Sequence, residues 1–337
     1  MQAIILASGR GTRFRPITDS IPKPLLPLAN RPLLEYLLSS LAQAGCTKIF
    51  VSVGYAGDQI QQFLTAIQPL SSVTPVFASN WHQGPLASFQ AVIPHLFAQD
   101  PFILVPADLY ISPTDLRSLT STTSEMALLY DSGKKQPGTL IQVNATHQIH
   151  DLLQSSRLHP GYYTGVPALR ANPKFLSYSL KASSTTQSTI FDLLQDWLSR
   201  GHTIQGIPAT GKAWCDIDTP AQLLEFNHHL LTDGWPPDPV PLGTYLPEGT
   251  TMAGPIQRAS LVLGHGSEIR GPVLLGPHVQ VGENCIIRNG TALGASTIID
   301  DNSELVQCIT FPHTQVPSNV DLKAAILDAK GNIVHSH

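Results

Sequence analysis

LGHGSEIRGPVLLGPHVQVGENCIIRNGTALGASTIIDDNSELVQCITF, residues 263–311, carries a large apolar side chain at every sixth position: Leu263, Ile269, Leu275, Val281, Ile287, Leu293, Ile299, Leu305 and Phe311. Small or slim residues recur four places later, at Ser267, Val273, Val279, Cys285, Thr291, Thr297 and Ser303, and Gly follows the aliphatic at 264, 276, 282 and 294. A repeat of six is the mark of a parallel β-helix, in which each hexad builds one flat face and stacking buries the aliphatic column. Three hexads make a turn, so this run predicts about three coils. A β-sandwich would instead show period two within strands and no fixed six.

Working outward, TYLPEGTTMAGPI before the repeat and PSNVDLKAAILDAKGNIV after it are candidate caps for the ends of the helix. Upstream of the first cap, DGWPPDPVPLG places four prolines in eleven residues, too many for a helix or a paired strand. The domain boundary is expected there, around Trp235. Residues 1–232 form one predicted domain, 233–243 a Pro-rich linker and 244–337 the β-helix domain.

The first domain alternates short apolar runs with amphipathic segments. AIILA (3–7), KIFVSV (48–53) and PFILVP (101–106) read as strands buried on both faces. Between the first two, RPLLEYLLSSLAQAG sets Leu34, Leu37, Leu38 and Leu41 at helical spacing and closes on Gly45. The fold class is therefore α/β, a Rossmann-like, mainly parallel sheet followed by the β-helix. In such sheets ligands lie beyond the carboxyl ends of the strands.

The 337 residues suit two domains, and composition narrows the function. A net charge of −4 with no Lys/Arg run argues against nucleic acid, and no apolar run is long enough for a membrane helix. The N-terminus lacks a charged segment before its apolar run and reads as a first strand, not a signal peptide. Cys46, Cys215, Cys285 and Cys308 show no CxxC spacing and suit buried thiols in a reducing compartment, which predicts a cytoplasmic protein. Charged residues make up only 13% of the chain, so much neutral surface is expected to be buried by self-association, through the β-helix.

Chemistry is concentrated between Leu6 and Leu38. Gly9 and Gly11 let backbone approach a ligand and present N–H groups to phosphate, although the loop has neither the Gly-Lys-Ser/Thr of a Walker motif nor the third Gly of a dinucleotide fingerprint. Arg13 and Lys23 add two cations able to neutralise phosphate charge, and Pro22 and Pro24 stiffen the chain around Lys23. Asp108 follows the strand FILVP, placing a carboxylate at a strand's carboxyl end. In WCDIDTP, strand alternation puts Asp216 and Asp218 on one face and Cys215 and Ile217 on the other. Asp218 also precedes Thr219 and Pro220, an N-cap and first-turn pair for the helix AQLLEFNHHLL.

The run GRGTRFRPIT…PKPLLPLANRPLLEYLL resembles the GxGTRxxPxT…PKP signature of sugar-phosphate nucleotidyltransferases, such as the mannose-1-phosphate guanylyltransferase and glucose-1-phosphate thymidylyltransferase types. The likeness extends through VPADLY, YYTGV and WCDIDTPAQLLEFN, and the family's helix is left-handed. The resemblance implies transfer of a nucleotide from a nucleoside triphosphate to a sugar 1-phosphate, with pyrophosphate released. It implies that Leu6, Ala7, Ser8, Gly9, Arg10, Gly11, Thr12 and Arg13 bind the nucleotide, with Arg13 on the β- and γ-phosphates and Lys23 bridging the α-phosphate and the sugar phosphate. Arg13 and Lys23 are the implied catalytic cations. Asp108 and Asp216 match the family's metal ligands, and Mg2+ suits one or two carboxylates plus phosphate oxygens. Gln83 and Gly84 occupy the position that reads the base, and Thr164 and Gly165 would lie against the sugar.

The chain departs from the pattern where a Glu-Lys-Pro element is usual: DLLQSSRLHPG stands there, with Arg157 as the nearest cation. An arginine fork does not replace a lysine point charge. Three other readings compete. The first is cytidylyl transfer to a phospho-alcohol, and the second is a non-catalytic regulatory subunit. The third is an acyltransferase built on His265, His278 or His313 of the β-helix, but no extended insertion loop accompanies them. Retention of Arg13, Lys23, Asp108 and Asp216 favours catalysis by nucleotidyl transfer.

Overall fold

The structure, a computed structural model, describes residues 1–67, 71–133, 136–181, 189–210, 214–234 and 237–335. Trp235, around which the boundary is expected, lies outside the described residues. The chain divides into two compact units: residues 1–10 with 37–216, and residues 11–36 with 217–337. The division separates the phosphate-loop signature from the sheet domain and groups most of it with the β-helix.

The first unit is built on nine strands: β1 (Gln2–Leu6), β2 (Lys48–Val53), β3 (Ser72–Phe77), β4 (Phe102–Pro106), β5 (Met126–Asp131), β6 (Gly138–Val143), β7 (Gln148–Ser155), β8 (Tyr163–Ala171) and β9 (Ile204–Pro208). They lie in the order β3-β2-β1-β4-β8-β5-β9-β7-β6. The half from β3 to β4 is all parallel, and its continuous apolar runs are buried as a doubly covered sheet requires. The other half is mixed: β8 runs antiparallel to both β4 and β5, and β7 is antiparallel to β6 and β9, while β9 is parallel to β5. The turn between β6 and β7 is short and held by the Asn144 side chain, which accepts from the amides of Thr146 and Gln148. A connection of that length permits only an antiparallel return.

Helix α1 (Leu33–Gln43) covers the predicted leucine stripe, and Gly45 beyond it takes a positive φ of 91°. Helices α2 (Gly57–Ala66), α3 (Pro85–Val92), α4 (Pro113–Ser121), α5 (Pro173–Leu180) and α6 (Ile190–Ser199) complete the unit. A capping box between Thr189 and Asp192 fixes the start of α6. Phe89, Phe102, Phe175 and Trp197 form its aromatic core, with centroids 5.4–6.4 Å apart along the chain of contacts.

The second unit contains helix α7 (Pro220–Thr232), capped by Thr219, and the β-helix. Three parallel sheets run along the β-helix, and the hexad column from Leu263 to Leu305 is buried throughout. Partners between coils fall 18 residues apart at Leu263/Val281, Ile269/Ile287 and Leu275/Leu293. The spacing then shortens to 17, with Ala292 over Ile309, Ile299 over Val316 and Leu305 over Leu322. Two expectations change as a result. Phe311 is buried but falls one place out of the column, because Ile309 rather than Thr310 sits under Ala292; and the segment after the hexads continues the helix instead of capping it. Strands Gln315–Val316, Asp321–Lys323 and Ala325–Leu327 make a fourth coil. Thr310 takes the place below Leu293, and its buried hydroxyl is satisfied by Thr297 and by the amide of Gly294. The ends are closed by antiparallel strands, Thr244–Leu246, Thr251–Ala253 and Ile256–Arg258 at one and Ile333–His335 at the other.

Residues 11–36 pack within this unit. The side chain of Asn227 on α7 is buried and accepts from the amide of Ala29 at 2.8 Å while donating to the carbonyl of Gly290 in the β-helix at 2.8 Å. Asn30 donates to Leu293 O at 2.8 Å. Ala29 and Asn30 both have positive φ, as a tight two-residue hairpin turn demands.

Candidate active site

The strand β4 ends at Pro106, and its chain bends into a two-residue strand, Leu109–Tyr110, that pairs antiparallel with Cys215–Asp216. In that register Asp216 stands opposite Leu109, which brings it beside Asp108. Their carboxylate oxygens lie within 4.8 Å of each other, and both groups are half-buried. Cys215 and Ile217 are buried while Asp216 and Asp218 are half-buried, so the alternation along CDID holds. Trp214 anchors the pairing from below by donating its indole N–H to Asp131 at 2.7 Å. Two carboxylates at this spacing form a hard-oxygen donor set that suits a divalent cation retaining water and phosphate ligands.

The phosphate loop crosses from one unit to the other between Arg10 and Gly11. Its first part continues β1: Leu6 O accepts from Ala107 N, Ala7 N donates to Ser52 O and Ser8 O accepts from Tyr55 N. The Ser8 hydroxyl also bonds to Ser88 on α3. A Cβ placed on Gly9 would meet nothing within 4 Å, which leaves space over its backbone. Arg10 lays its guanidinium 5.1 Å from the centroid of Tyr55, whose ring lies 6.1 Å from that of Trp81.

In the second unit, Gly11 has φ 66°, and a Cβ there would sit 2.8 Å from the Lys23 Cβ, so glycine is required twice over. Thr18 donates to Gly11 O at 2.8 Å and Thr12–Phe14 forms a single tight turn. Lys23 is largely buried, with its ammonium 5.8 Å from the Phe14 ring centre. Lys23 Nζ donates to Asp218 Oδ1 at 2.9 Å, and Arg13 reaches Asp218 Oδ2 at 3.1 Å. Burial alone would raise the Asp218 carboxyl, but Lys23 and then Arg13 outweigh it and hold the group below its usual range. Asp218 thus orients both cations of the signature, a role that helix entry does not account for. N-capping of α7 falls to Thr219, which accepts from Gln222 N.

Gln83 ends a short turn, Trp81–Gln83, and Gly84 takes the N-cap position of α3. Both stand where a helix start offers backbone N–H groups. Thr164 is turned into the sheet and accepts from Gln136 N at 3.0 Å. Gly165 lies tight against Thr139, a Cβ there meeting Thr139 Cγ2 at 3.1 Å, and it lines an apolar cavity of about 200 Å3 together with Leu6 and Pro85. Where the Glu-Lys-Pro element is missing, β7 ends at Ser155, whose hydroxyl accepts from Arg157 N, and the Arg157 side chain is exposed. The aromatic pair Tyr55 and Trp81, the bond from Ser8 to Ser88 and the buried Asn227 have no sequence motif. Only the apolar spacing of α7, which Asn227 interrupts, hints at any of them.

Residues 3–163 match a MobA-like NTP transferase domain. Over 97% of its length the chain is 22% identical to "Probable mannose-1-phosphate guanylyltransferase 3" of Oryza sativa, covering 86% of that protein. It is 23% identical over the same share to "Mannose-1-phosphate guanyltransferase" of Gibberella zeae, covering all of it. Among solved structures, the inositol-1-phosphate CTP transferase from T. maritima shares the fold, with a TM-score of 0.57 and 22% identity over 66% of this chain and 90% of that one.

Proposed function

We propose that this nucleotidyltransferase, whose residues 3–163 form a MobA-like NTP transferase domain, joins a nucleoside triphosphate to a sugar 1-phosphate and releases pyrophosphate. The relatives' names point to that reaction class, and the observation that carries it to this chain is the pairing of Asp108 with Asp216 at the end of β4. In the reaction an oxygen of the sugar phosphate attacks the α-phosphorus, the bond from the α-phosphorus to the bridging oxygen breaks, and pyrophosphate leaves with the electron pair. No protein nucleophile is needed, and no proton must move. Catalysis is positioning and charge neutralisation.

In this reading Asp108 and Asp216 hold Mg2+, which when bound neutralises phosphate charge. The backbone from Leu6 to Arg13 wraps the triphosphate, with Arg13 on the phosphates that leave. Lys23, held at a fixed place by Asp218, takes the α-phosphate and the acceptor phosphate. Gln83 and Gly84 face the base, and Thr164 and Gly165 set the backbone beside the sugar. The division into 1–232, 233–243 and 244–337 stays part of the proposal, as does association through the β-helix, which light scattering of the full chain would reveal as a dimer or larger species. Among the described residues no helix is long and apolar enough to cross a membrane, and the four cysteines are buried thiols; a cytoplasmic site of action accords with both.

A pyrophosphate-release screen tests the reading, crossing the four nucleoside triphosphates with a panel of sugar 1-phosphates and phosphocholine. Turnover with a sugar 1-phosphate supports it. Turnover confined to phosphocholine would replace it with transfer to a phospho-alcohol, and no turnover at all would leave a regulatory subunit.

A further inference from the structure

Between the sheet and α6 the first unit holds the cavity of about 200 Å3 that Gly165 lines. Its walls are Leu104, Leu128, Leu169, Phe191 and Leu194, and among all its lining residues Thr139 alone has a polar side chain. That hydroxyl is engaged, donating to Gln154 Oε1 at 3.0 Å. Its lining reaches the carboxyl ends of β1 and β4: Leu6 closes β1 just before the glycine-bearing loop, Pro106 stands two residues before Asp108, and Pro85 follows Gln83 and Gly84.

The local backbone accounts for the space. From Gly165 to Leu169, β8 passes four residues while its partner β5 passes two, from Tyr130 to Leu128. The surplus in β8 bulges away from the ladder, as strands often do beside active sites, and leaves Val166 and Pro167 on the cavity wall. Cavities of about 150 Å3 lined by Leu, Ile and Phe stay dry and take up a ring-sized apolar molecule. A hydroxyl buried here would lose its water partners and gain none.

We propose that this cavity receives the acceptor's end remote from its phosphate, and that the acceptor is a deoxy-sugar 1-phosphate, methyl-bearing where a common hexose carries a hydroxyl. The inference rests on the nucleotidyl-transfer reading above. With the anomeric phosphate toward Asp108, the C4–C6 edge of the sugar is the part that enters. An apolar pocket separates a ligand from its hydroxylated isostere by roughly 10- to 100-fold, which sets the size of the expected preference.

The test compares mannose 1-phosphate with 6-deoxymannose 1-phosphate, and glucose 1-phosphate with 6-deoxyglucose 1-phosphate, using the full chain. Pyrophosphate release is measured with each nucleoside triphosphate, and binding is measured by calorimetry without turnover. The expected result is that one 6-deoxy compound exceeds its hydroxylated counterpart by about tenfold or more in kcat/KM and in affinity. Val166→Thr, which adds a wall hydroxyl at nearly constant volume, should shrink that preference; the thermal midpoint falls too, because the buried hydroxyl finds no partner, so the preference is read as a ratio within the folded variant. Equal or better use and binding of both hydroxylated sugars would overturn the proposal. Absence of turnover with every acceptor would count against the nucleotidyl-transfer reading, and calorimetry would still decide the preference.

Discussion

Lys23 and Asp218 stand 195 positions apart in the chain and meet at 2.9 Å, ammonium to carboxylate, with Arg13 on the second oxygen of the same carboxylate. The two cations of the phosphate-loop signature are thereby held by one anion from the segment that carries Asp216. Asp218→Asn keeps the shape and removes the charge that orients them. Turnover should fall by about 10²-fold, the scale for misplacing a catalytic group, and the thermal midpoint should drop as well, because the largely buried Lys23 ammonium loses its counter-charge. Steady-state kinetics beside a melting curve would check it, and unchanged turnover would exclude the orienting role.

Arg13→Ala should lower turnover by about two or more orders of magnitude if, as proposed above, Arg13 sets a preorganised charge on the leaving phosphates. Arg13→Lys should recover part of that loss, because a point charge neutralises phosphate without the bidentate fork. Recovery to the full wild-type rate would show that the fork has no role.

Asn227→Ala strips partners from two backbone groups at once, the amide of Ala29 and the carbonyl of Gly290. A buried polar group left without a partner costs about 1–3 kcal/mol. Urea unfolding should therefore show a loss of roughly 2–6 kcal/mol on the same scale. The KM for nucleoside triphosphate should rise as well, because Ala29 belongs to the segment that carries Lys23. A stability loss with an unchanged KM would confine Asn227 to a packing role.

Burial pushes the Cys46 and Cys308 thiols from the ordinary 9.0 up to about 11. For each, the unfolded chain ionises first as pH rises, so their contribution to stability is complete below about 9 and is lost on the way to about 11. The urea midpoint should decline across that window. Below it a charged thiol reagent should label the native chain slowly and all four cysteines promptly in urea, since all four are buried. Fast labelling of the folded protein would contradict the buried placement.

The parts of the structure that repeat were legible in the sequence. Buried runs such as KIFVSV and the hexads from Leu263 to Leu305 announce themselves because every residue obeys one period. The single residue missing from the coil after Leu305 breaks the period, so the fourth coil, whose inward residues Val316, Leu322 and Ala325–Leu327 are buried as well, does not stand out. Nor does the antiparallel insertion of β8, because an apolar run such as GVPALRA reads alike in either direction. At the candidate site, Asp108 follows from a strand end, whereas alternation offers Asp216 and Asp218 alike and only the family resemblance singles out Asp216. The link from Lys23 to Asp218 joins distant segments, and no local pattern encodes it; the same is true of Asn227, whose two partners lie 198 and 63 positions away.

The pairing of Asp108 with Asp216 is the center of the account, and one measurement addresses it most directly. Pyrophosphate release by the full chain is followed with and without Mg2+, for the wild type and for Asp108→Ala and Asp216→Ala, on the best substrate pair of the screen. The account predicts release that stops on chelation, returns with Mg2+ and falls by about two or more orders of magnitude in each folded variant. Near-normal release by both variants, or release indifferent to chelation, would contradict it.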